Sequence, residues 1–189
     1  MGIVRPPPQD KLIVGLLAGD DDLLREASRR LTREFGEIDL RSESWSFEAT
    51  EYYRDELGDD ILRQFVSFKA LVSPDRLAEI KRTTNDLEQR FCHDLAVPST
   101  ARPVNIDPGL ISLAKLVLAT TKDHAHRIYL GRGIHAEVTL RYVDRKWTPW
   151  PWTYPDYAAR TYHTFFDQVR EVLKGQYRDA GDSPSEPRL

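Results

Sequence analysis

The fold is decided by the stretch "KLIVGLLAGDDDLLREASRRLTREFG", residues 11–36. Its first nine residues form an apolar run of strand length that ends on glycine, which predicts a central strand buried on both faces. Acidic residues then open a helical pattern that stops at Gly36. Its apolar positions are Leu24, Ala27, Leu31 and Phe35. The stretch therefore predicts a strand followed by a helix.

The same two periodicities continue along the chain. Residues 37–47 and 62–72 alternate apolar and polar side chains, which predicts a second and a third strand. Ser73 as N-cap and Pro74 at the first helical position open a long helix that reaches residue 91. The later predicted strands are 104–107, 113–121, 126–130 and 134–143.

The order strand, helix, strand, strand, helix, strand is the split βαβ arrangement of a ferredoxin-like sheet. We expect an α+β fold with a ferredoxin-like βαββαβ core, extra strands and a C-terminal helix over 156–174, in a mixed or mainly antiparallel sheet. The glycines in 131–133 predict a hairpin. The helices should lie on one face. A less regular α+β sandwich is the alternative, because the sequence does not determine strand order.

Length and composition bound the class of protein. A chain of 189 residues with 40% hydrophobic and 30% charged residues is the size of one domain, which we assign to residues 11–175. Residues 1–10 contain three consecutive prolines, and residues 176–189 are rich in charge, proline and serine. Both tails are expected to be disordered, because they offer little apolar surface to offset the entropy of ordering.

Charge and cysteine content narrow the partners and the compartment. A net charge of −3 argues against DNA or RNA as a partner, because phosphate neutralisation needs a basic face. No apolar run approaches the roughly 18 residues of a membrane span, so no membrane partner is expected. The single cysteine, Cys92, fits a reducing compartment. The sequence therefore predicts a cytoplasmic protein.

The strand predicted at 134–143 carries the strongest candidate site. If its side chains alternate regularly, Glu137 and Thr139 share one face with His135 and Arg141, about 7 Å apart along the strand. Lys122, His126 and Arg127 precede it and supply cations and an imidazole. Two interpretations stay open: a ligand site, or the wet face of an ordinary sheet with surface ion pairs.

Two further segments add candidate ligand-binding residues. On the long helix, Lys81 and Asn85 form a stripe with Glu88, and the alternative is a solvated shoulder with internal contacts. Asn105 and Asp107 stand beside a Pro-Gly pair, which predicts a turn closed by Asp107.

Several function classes are disfavoured by missing motifs. The sequence has no GxxxxGK[ST] loop, and in "TTKD" (120–123) the aspartate follows the lysine directly, which is the wrong spacing for the base-reading motif of a GTPase. "DHAH" (123–126) contains metal-ligand types, but no cysteine pair or HExxH accompanies it, so no metal site is predicted. The sequence indicates no particular cofactor.

Taken in order, "FVSFKALV", "IKRTTNDLE", "VNIDPG", "KLVLATTKDHAHRIYLGRGIHAEVTLRY" and "WTYPDY" resemble an uncharacterised bacterial family known as domain of unknown function 4416. The resemblance spans about residues 11–174 and implies no particular activity. His124 and His135 depart from the family pattern, which argues against a metal at the first and catalysis by the second. The pattern includes the positions of Tyr53, Glu56, Lys81, Asn85, Glu88, Asn105, Asp107, Lys115, Lys122, His126, Arg127, Glu137, Thr139, Trp152, Tyr154 and Asp156.

Two functions follow from these candidates. The first is a domain that binds a phosphorylated or carboxylated small molecule, and in an enzyme Glu137 or His126 would be the general base. Lys122 and Arg127 would then steady negative charge. The second is a non-catalytic module whose charged face and aromatic segment dock a protein partner or a second copy of the chain.

Overall fold

The computed structural model describes residues 3–47, 60–96 and 102–181. In this part of the chain nine strands form one sheet with four α-helices. The strands are β1 (Asp10–Ala18), β2 (Ile38–Arg41), β3 (Trp45–Ser46), β4 (Leu62–Val72), β5 (Val104–Ile111), β6 (Lys115–Thr120), β7 (Ile128–Gly131), β8 (Ile134–Val143) and β9 (Lys146–Pro149). The helices are α1 (Asp21–Phe35), α2 (Leu77–Asp94), α3 (Pro155–Ala158) and α4 (Arg160–Asp179).

The sheet order is β2-β4-β1-β5-β6-β8-β7, with β3 also paired to β4 and β9 to β8. Every pairing between described strands is antiparallel. The α+β class and the mainly antiparallel sheet are therefore confirmed. The strand predicted at 62–72 has the bounds of β4.

β1 lies at the centre of the sheet, and all nine of its residues are buried. Leu12 packs with the apolar stripes of α1 and α2, whereas its neighbour Ile13 packs with Phe166 of α4 on the other face. The central strand buried on both faces is confirmed. The expectation that helices cover only one face is wrong, because α4 packs on the other face. Its aromatic stripe needs an apolar surface there, and Phe65 of β4 forms part of that surface.

The strand predicted over 37–47 is two short strands, β2 and β3, interrupted between Arg41 and Trp45. Both pair with β4. In the gap the hydroxyl of Ser42 accepts a hydrogen bond from the amide of Phe65 at 2.8 Å. A serine side chain therefore takes over one bond of the ladder, which hydrophobic alternation cannot reveal.

The turn predicted at Pro108 and Gly109 is wrong, because both residues lie inside β5. β5 pairs with β1 over its full length. A β-carbon added to Gly109 would stand 2.6 Å from Leu118 Cδ2 and 2.7 Å from the carbonyl oxygen of Val117. Glycine is needed here for the close approach of β6, not for a turn.

Both long helices differ from their predicted bounds. Ser73 precedes a short 3-10 turn and makes no side-chain cap, and α2 continues to Asp94. The final helix is broken at Ala159, which is extended, and α4 then runs through Gly175 to Asp179. The predicted stop at Gly175 is wrong because Tyr177 is buried one turn from Leu173, which offsets the glycine's weak helix propensity.

The hairpin between β7 and β8 is confirmed, with Arg132 and Gly133 both at positive φ, as a two-residue primed turn requires. A second hairpin was not predicted. Asp144 and Arg145 also have positive φ and connect β8 to β9. No glycine marks that turn, and a single aspartate, Asp144, is only a weak turn signal.

The structure describes part of both tails that were expected outside residues 11–175. Residues 3–9 contain no strand or helix, yet the Tyr177 hydroxyl donates to the carbonyl of Gln9, and Pro7 and Pro8 line a cavity. The boundary expected at 175 falls inside α4. Residues 182–189 lie outside the described part of the chain. No helix within the described ranges is long and apolar enough to cross a membrane.

Candidate functional site

The side-chain alternation predicted for β8 is interrupted by a β-bulge. Val138 pairs with Val117 and Leu140 with Leu116, so Thr139 is an extra residue with no partner on β6. The bulge reverses the faces that follow it. Ala136 therefore belongs to the core beneath α1 and α2, whereas Leu140 belongs to the core beneath α4.

Burial overturns the wet-face interpretation for Glu137 and Thr139. Glu137 is 4% exposed and Thr139 0%, so neither side chain lies on a solvated surface. Glu137 pairs with Leu118, which packs toward α4, and it therefore lies on the α4 face of the sheet. A buried carboxylate needs hydrogen-bond donors and a counter-charge.

Glu137 obtains them from three side chains. Its Oε2 accepts from Arg127 Nε at 2.8 Å and lies 3.1 Å from His126 Nε2. Its Oε1 accepts from the hydroxyl of Thr139 at 3.3 Å. The structure thus brings together four residues that the sequence singled out, and Glu137 is their shared acceptor.

Arg127 is a clamp rather than an open anion-binding group. One terminal nitrogen donates to the carbonyl of Lys122 at 3.0 Å and the other to the hydroxyl of Tyr154 at 3.2 Å. Burial acts to lower the pKa of Arg127, but the hydrogen bonds to Glu137 and Tyr154 outweigh it and raise the pKa. The guanidinium therefore fastens the loop before β7 onto Glu137.

His126 is the member of the group that reaches solvent, with 24% of its side chain exposed. Because an ionised carboxylate can only accept, Nε2 carries the hydrogen in the bond to Glu137. In the neutral ring Nδ1 then holds the free lone pair. Nδ1 has no hydrogen-bond partner among the described residues.

A stack of planar groups holds the His126 ring in place. His126 stacks on Trp152 at 5.2 Å between ring centroids and on His124 at 5.9 Å. Trp152 stacks in turn on Trp150, and its indole donates to the carbonyl of Val138 at 3.2 Å. The aromatic segment therefore orients the imidazole, a role that the sequence did not indicate.

A second group forms where β6 stops pairing with β5. Ile106 lies beyond the last paired residue of β5, Gly109, and two α2 side chains bind its backbone instead. Lys81 Nζ donates to the Ile106 carbonyl at 3.0 Å, and Glu88 accepts from the Ile106 amide at 2.6 Å. Lys81 and Glu88 are buried, so the solvated-shoulder interpretation of this helical stripe is wrong.

Asp107 joins the same group. Its Oδ1 accepts a hydrogen bond from Lys81 Nζ at 2.9 Å, and its Oδ2 accepts one from the side-chain amide of Asn105 at 2.6 Å. Burial acts to raise the pKa of Asp107, but the charge and hydrogen bond of Lys81 outweigh it and lower the pKa. Asn85 lies half-buried on the same stripe of α2 and makes no hydrogen bond to another described residue.

Arg63 is a site candidate that the sequence reasoning missed. It lies at the start of β4, is buried, and forms an ion pair with Asp156 at 3.1 Å. Its Nε and one terminal nitrogen have no hydrogen-bond partner among the described residues, and the same holds for the nearby buried hydroxyl of Tyr157. Arg63 itself has the sequence pattern of an ordinary polar strand residue. The one signal that could have pointed to it is its partner Asp156, which belongs to the family pattern.

Both groups lie at the same end of the sheet. β1, β5, β6 and β8 are antiparallel neighbours, so the end of β1, the start of β5, the end of β6 and the start of β8 all lie at this end.

Two surface cavities, of about 1310 and 420 Å³, are lined by residues outside both groups. Within the described ranges no three His, Cys, Asp or Glu side chains are grouped to hold a metal. Tyr53 and Glu56 fall outside those ranges.

The comparison with known families gives one match. The model described as "Domain of unknown function (DUF4416)" matches residues 8–173, which is most of the chain. No curated protein and no solved structure matches.

Proposed function

The chain belongs to the family described as Domain of unknown function (DUF4416), and from that premise we propose that it binds a small anionic molecule and performs acid–base chemistry on it through His126. The ligand class is a phosphorylated or carboxylated metabolite. We propose the cytoplasm as its location, which the single buried cysteine, Cys92, supports.

One observation carries this proposal: a partly exposed imidazole is oriented by a buried carboxylate. Glu137 fixes which ring nitrogen of His126 holds the hydrogen, and Arg127 supplies the counter-charge. This leaves Nδ1 as a base toward solvent, the arrangement that general acid–base catalysis uses. Of the two bases expected from the sequence, the geometry favours His126, with Glu137 as its positioning residue.

The anionic preference rests on the groups around Nδ1. When protonated, His126 can donate to a phosphate or carboxylate oxygen, and the exposed Lys122 follows β6 on the same loop. Lys81, Asn105 and Asp107 lie at the same end of the sheet, where they bind one another and the Ile106 carbonyl, so they would support this end of the sheet and not contact the ligand directly. Arg127 contributes only through Glu137, since its nitrogens already have protein partners.

A thermal-shift screen of the full chain tests the proposal. The probes are inorganic phosphate, pyrophosphate, sugar phosphates and dicarboxylates at millimolar concentration. At least one should raise the melting temperature by mass action, since it binds only the folded state. His126→Gln should abolish that shift.

His93→Gln is the matched control, because His93 is an exposed histidine on α2. It should keep the full shift. If no anion raises the melting temperature, or if His126→Gln responds like the wild type, the proposal is wrong.

The second candidate function is association through the sheet edge. β7 lies at the end of the sheet, and its Ile128, Tyr129 and Leu130 are 72%, 61% and 42% exposed. An apolar edge strand favours pairing with another chain. This supports a homo-oligomer or a protein partner as the alternative.

The ferredoxin-like interpretation also remains a proposal for β1, α1, β2, β4, α2 and β5. Their order in the sheet, β2-β4-β1-β5, supports it, because in the split βαβ arrangement the first strand lies between the third and the fourth.

A further inference from the structure

A cavity of about 420 Å³ lies beside α2, on the opposite face of the sheet from Glu137. Its volume is in the range of small-molecule sites. Most of its wall is apolar, from the N-terminal segment, α2, β6 and β8, including Pro7, Pro8, Leu77, Leu113, Val117 and Ala136. Ala136 lines it while Glu137, the next residue, points to the other face. The cavity is therefore separate from the His126 group.

Asp10, the first residue of β1, contributes a carboxyl to this apolar wall. It is 9% exposed, and its side chain accepts no hydrogen bond from any other described residue. Burial raises the pKa of Asp10 to about 6, although the charge of Lys115 acts to lower it. A carboxyl with so little exposure and no donor among the described residues is costly to the fold, and a ligand ammonium in the cavity would offset that cost.

Lys115 lines the same cavity and carries the opposite charge. It is exposed at the start of β6 and is not joined to Asp10 by a hydrogen bond or an ion pair within the described ranges. The other polar groups in the wall are already engaged. Ser112 accepts from the amides of Ala114 and Lys115, and the Tyr177 hydroxyl donates to Gln9.

We propose that this cavity binds an apolar amino acid, with its ammonium on Asp10, its carboxylate beside Lys115 and its side chain against the apolar wall. The pair of charges selects a zwitterion. A simple amine would be repelled by Lys115 and a simple carboxylate by Asp10, whereas a molecule with both groups satisfies both side chains.

Binding should depend on pH through Asp10. The charged group that acts on its carboxyl is Lys115 of β6. The other cavity residues near α2 and α4 are uncharged: Pro74 precedes α2, Leu77 begins it, and the Tyr177 hydroxyl of α4 donates to the carbonyl of Gln9. Ligand ammonium needs the ionised carboxylate. Because the pKa of Asp10 is about 6, affinity should fall about tenfold from pH 7.5 to pH 5.

Titration calorimetry on the full chain tests this with leucine, phenylalanine and tryptophan. Phenethylamine and 3-phenylpropionate are the matched ligands that lack one of the two charges. At least one amino acid should bind saturably at pH 7.5, and more than tenfold tighter than either single-charge analogue. Asp10→Asn and Lys115→Met should each weaken it by tenfold or more.

Asp86→Asn is the control, because Asp86 is an exposed carboxylate on α2 away from the cavity. It should bind like the wild type. Far-ultraviolet circular dichroism of each variant establishes that it is folded. The proposal is overturned if none of the three amino acids binds, if a single-charge analogue binds as tightly, or if folded Asp10→Asn keeps the wild-type affinity.

Discussion

At the scale of single residues, the main finding is that charged side chains predicted to be solvated are buried and engaged. Glu137, Lys81 and Glu88 each bind partners from another element of the fold. Charge alone predicts exposure, because burial is costly without partners. Lys81 and Glu88 bind the backbone of Ile106 on another element, which local sequence could not reveal, whereas the partners of Glu137 lie within 11 residues of it.

The raised pKa of Asp10 predicts how the free energy of unfolding depends on pH. Its pKa is about 6 in the folded chain and 3.8 as the ordinary value, so the folded state holds an extra proton between those values. The free energy of unfolding therefore falls as pH rises through this window, and the full deficit of about 3 kcal/mol is present above it. Asp10→Asn should recover about 2 kcal/mol at pH 7.5, since the amide keeps part of the burial cost.

Urea denaturation at pH 7.5 and at pH 4 measures this. The variant and the wild type should differ at pH 7.5, the difference should be much smaller at pH 4, and it should vanish only below about pH 3.8, where Asp10 is protonated in the unfolded state as well. Equal unfolding free energies at pH 7.5 would contradict the assignment of Asp10 as a destabilising buried acid. A stabilising substitution here also fits a residue kept for binding.

At the scale of elements, β1 and α1 follow from hydrophobic periodicity, because each has one pattern over its full length. β4 has its predicted bounds but not the predicted alternation, since its residues 63–68 are all buried. The elements that departed from prediction contain a local exception. Thr139 is a bulge, Ser42 replaces a ladder bond, and Gly109 serves a close contact between strands. Each of these features depends on a contact with a neighbouring strand, so it cannot be predicted from the sequence of its own segment.

Gly109 supports a prediction for the β5–β6 contact. Gly109→Ala would push a methyl group against Leu118 and the backbone of Val117, so the strands must separate. Overpacking of this kind costs about 1–3 kcal/mol. Gly175→Ala is the matched control, since a β-carbon at that helical position meets nothing within 4 Å.

Gly175→Ala should stabilise the chain by about 0.5–1 kcal/mol, because alanine is the better helix former. Thermal unfolding monitored by circular dichroism gives both values. A Gly109→Ala variant as stable as the wild type would mean that β6 does not approach β5 this closely in solution.

At the scale of the whole molecule, the α+β class could be predicted, whereas the placement of α4 on the opposite face could not. Periodicity identifies an apolar stripe but not the surface that it covers. The candidate site shows the same limit. His126, Arg127, Glu137 and Thr139 were all expected, but the sequence could not show that Glu137 orients the others.

The exposed edge at β7 gives a prediction about assembly. If the apolar strand pairs with a second copy, sedimentation equilibrium should give a dimer mass at micromolar concentration. Ile128→Lys should shift the equilibrium to monomer, because a charged edge strand resists pairing. Lys146→Ala, an exposed change on β9, should leave the dimer intact. A wild-type monomer over the whole concentration range would exclude this mode of association.

The contact of α2 with Ile106 has a consequence for amide hydrogen exchange. In an ordinary ladder, an amide is released when its neighbouring strand separates. The Ile106 amide is instead held by the carboxylate of Glu88, while its carbonyl is held by Lys81. Its proton therefore exchanges when the helix lifts from the sheet, so this single backbone position reports the local opening of α2.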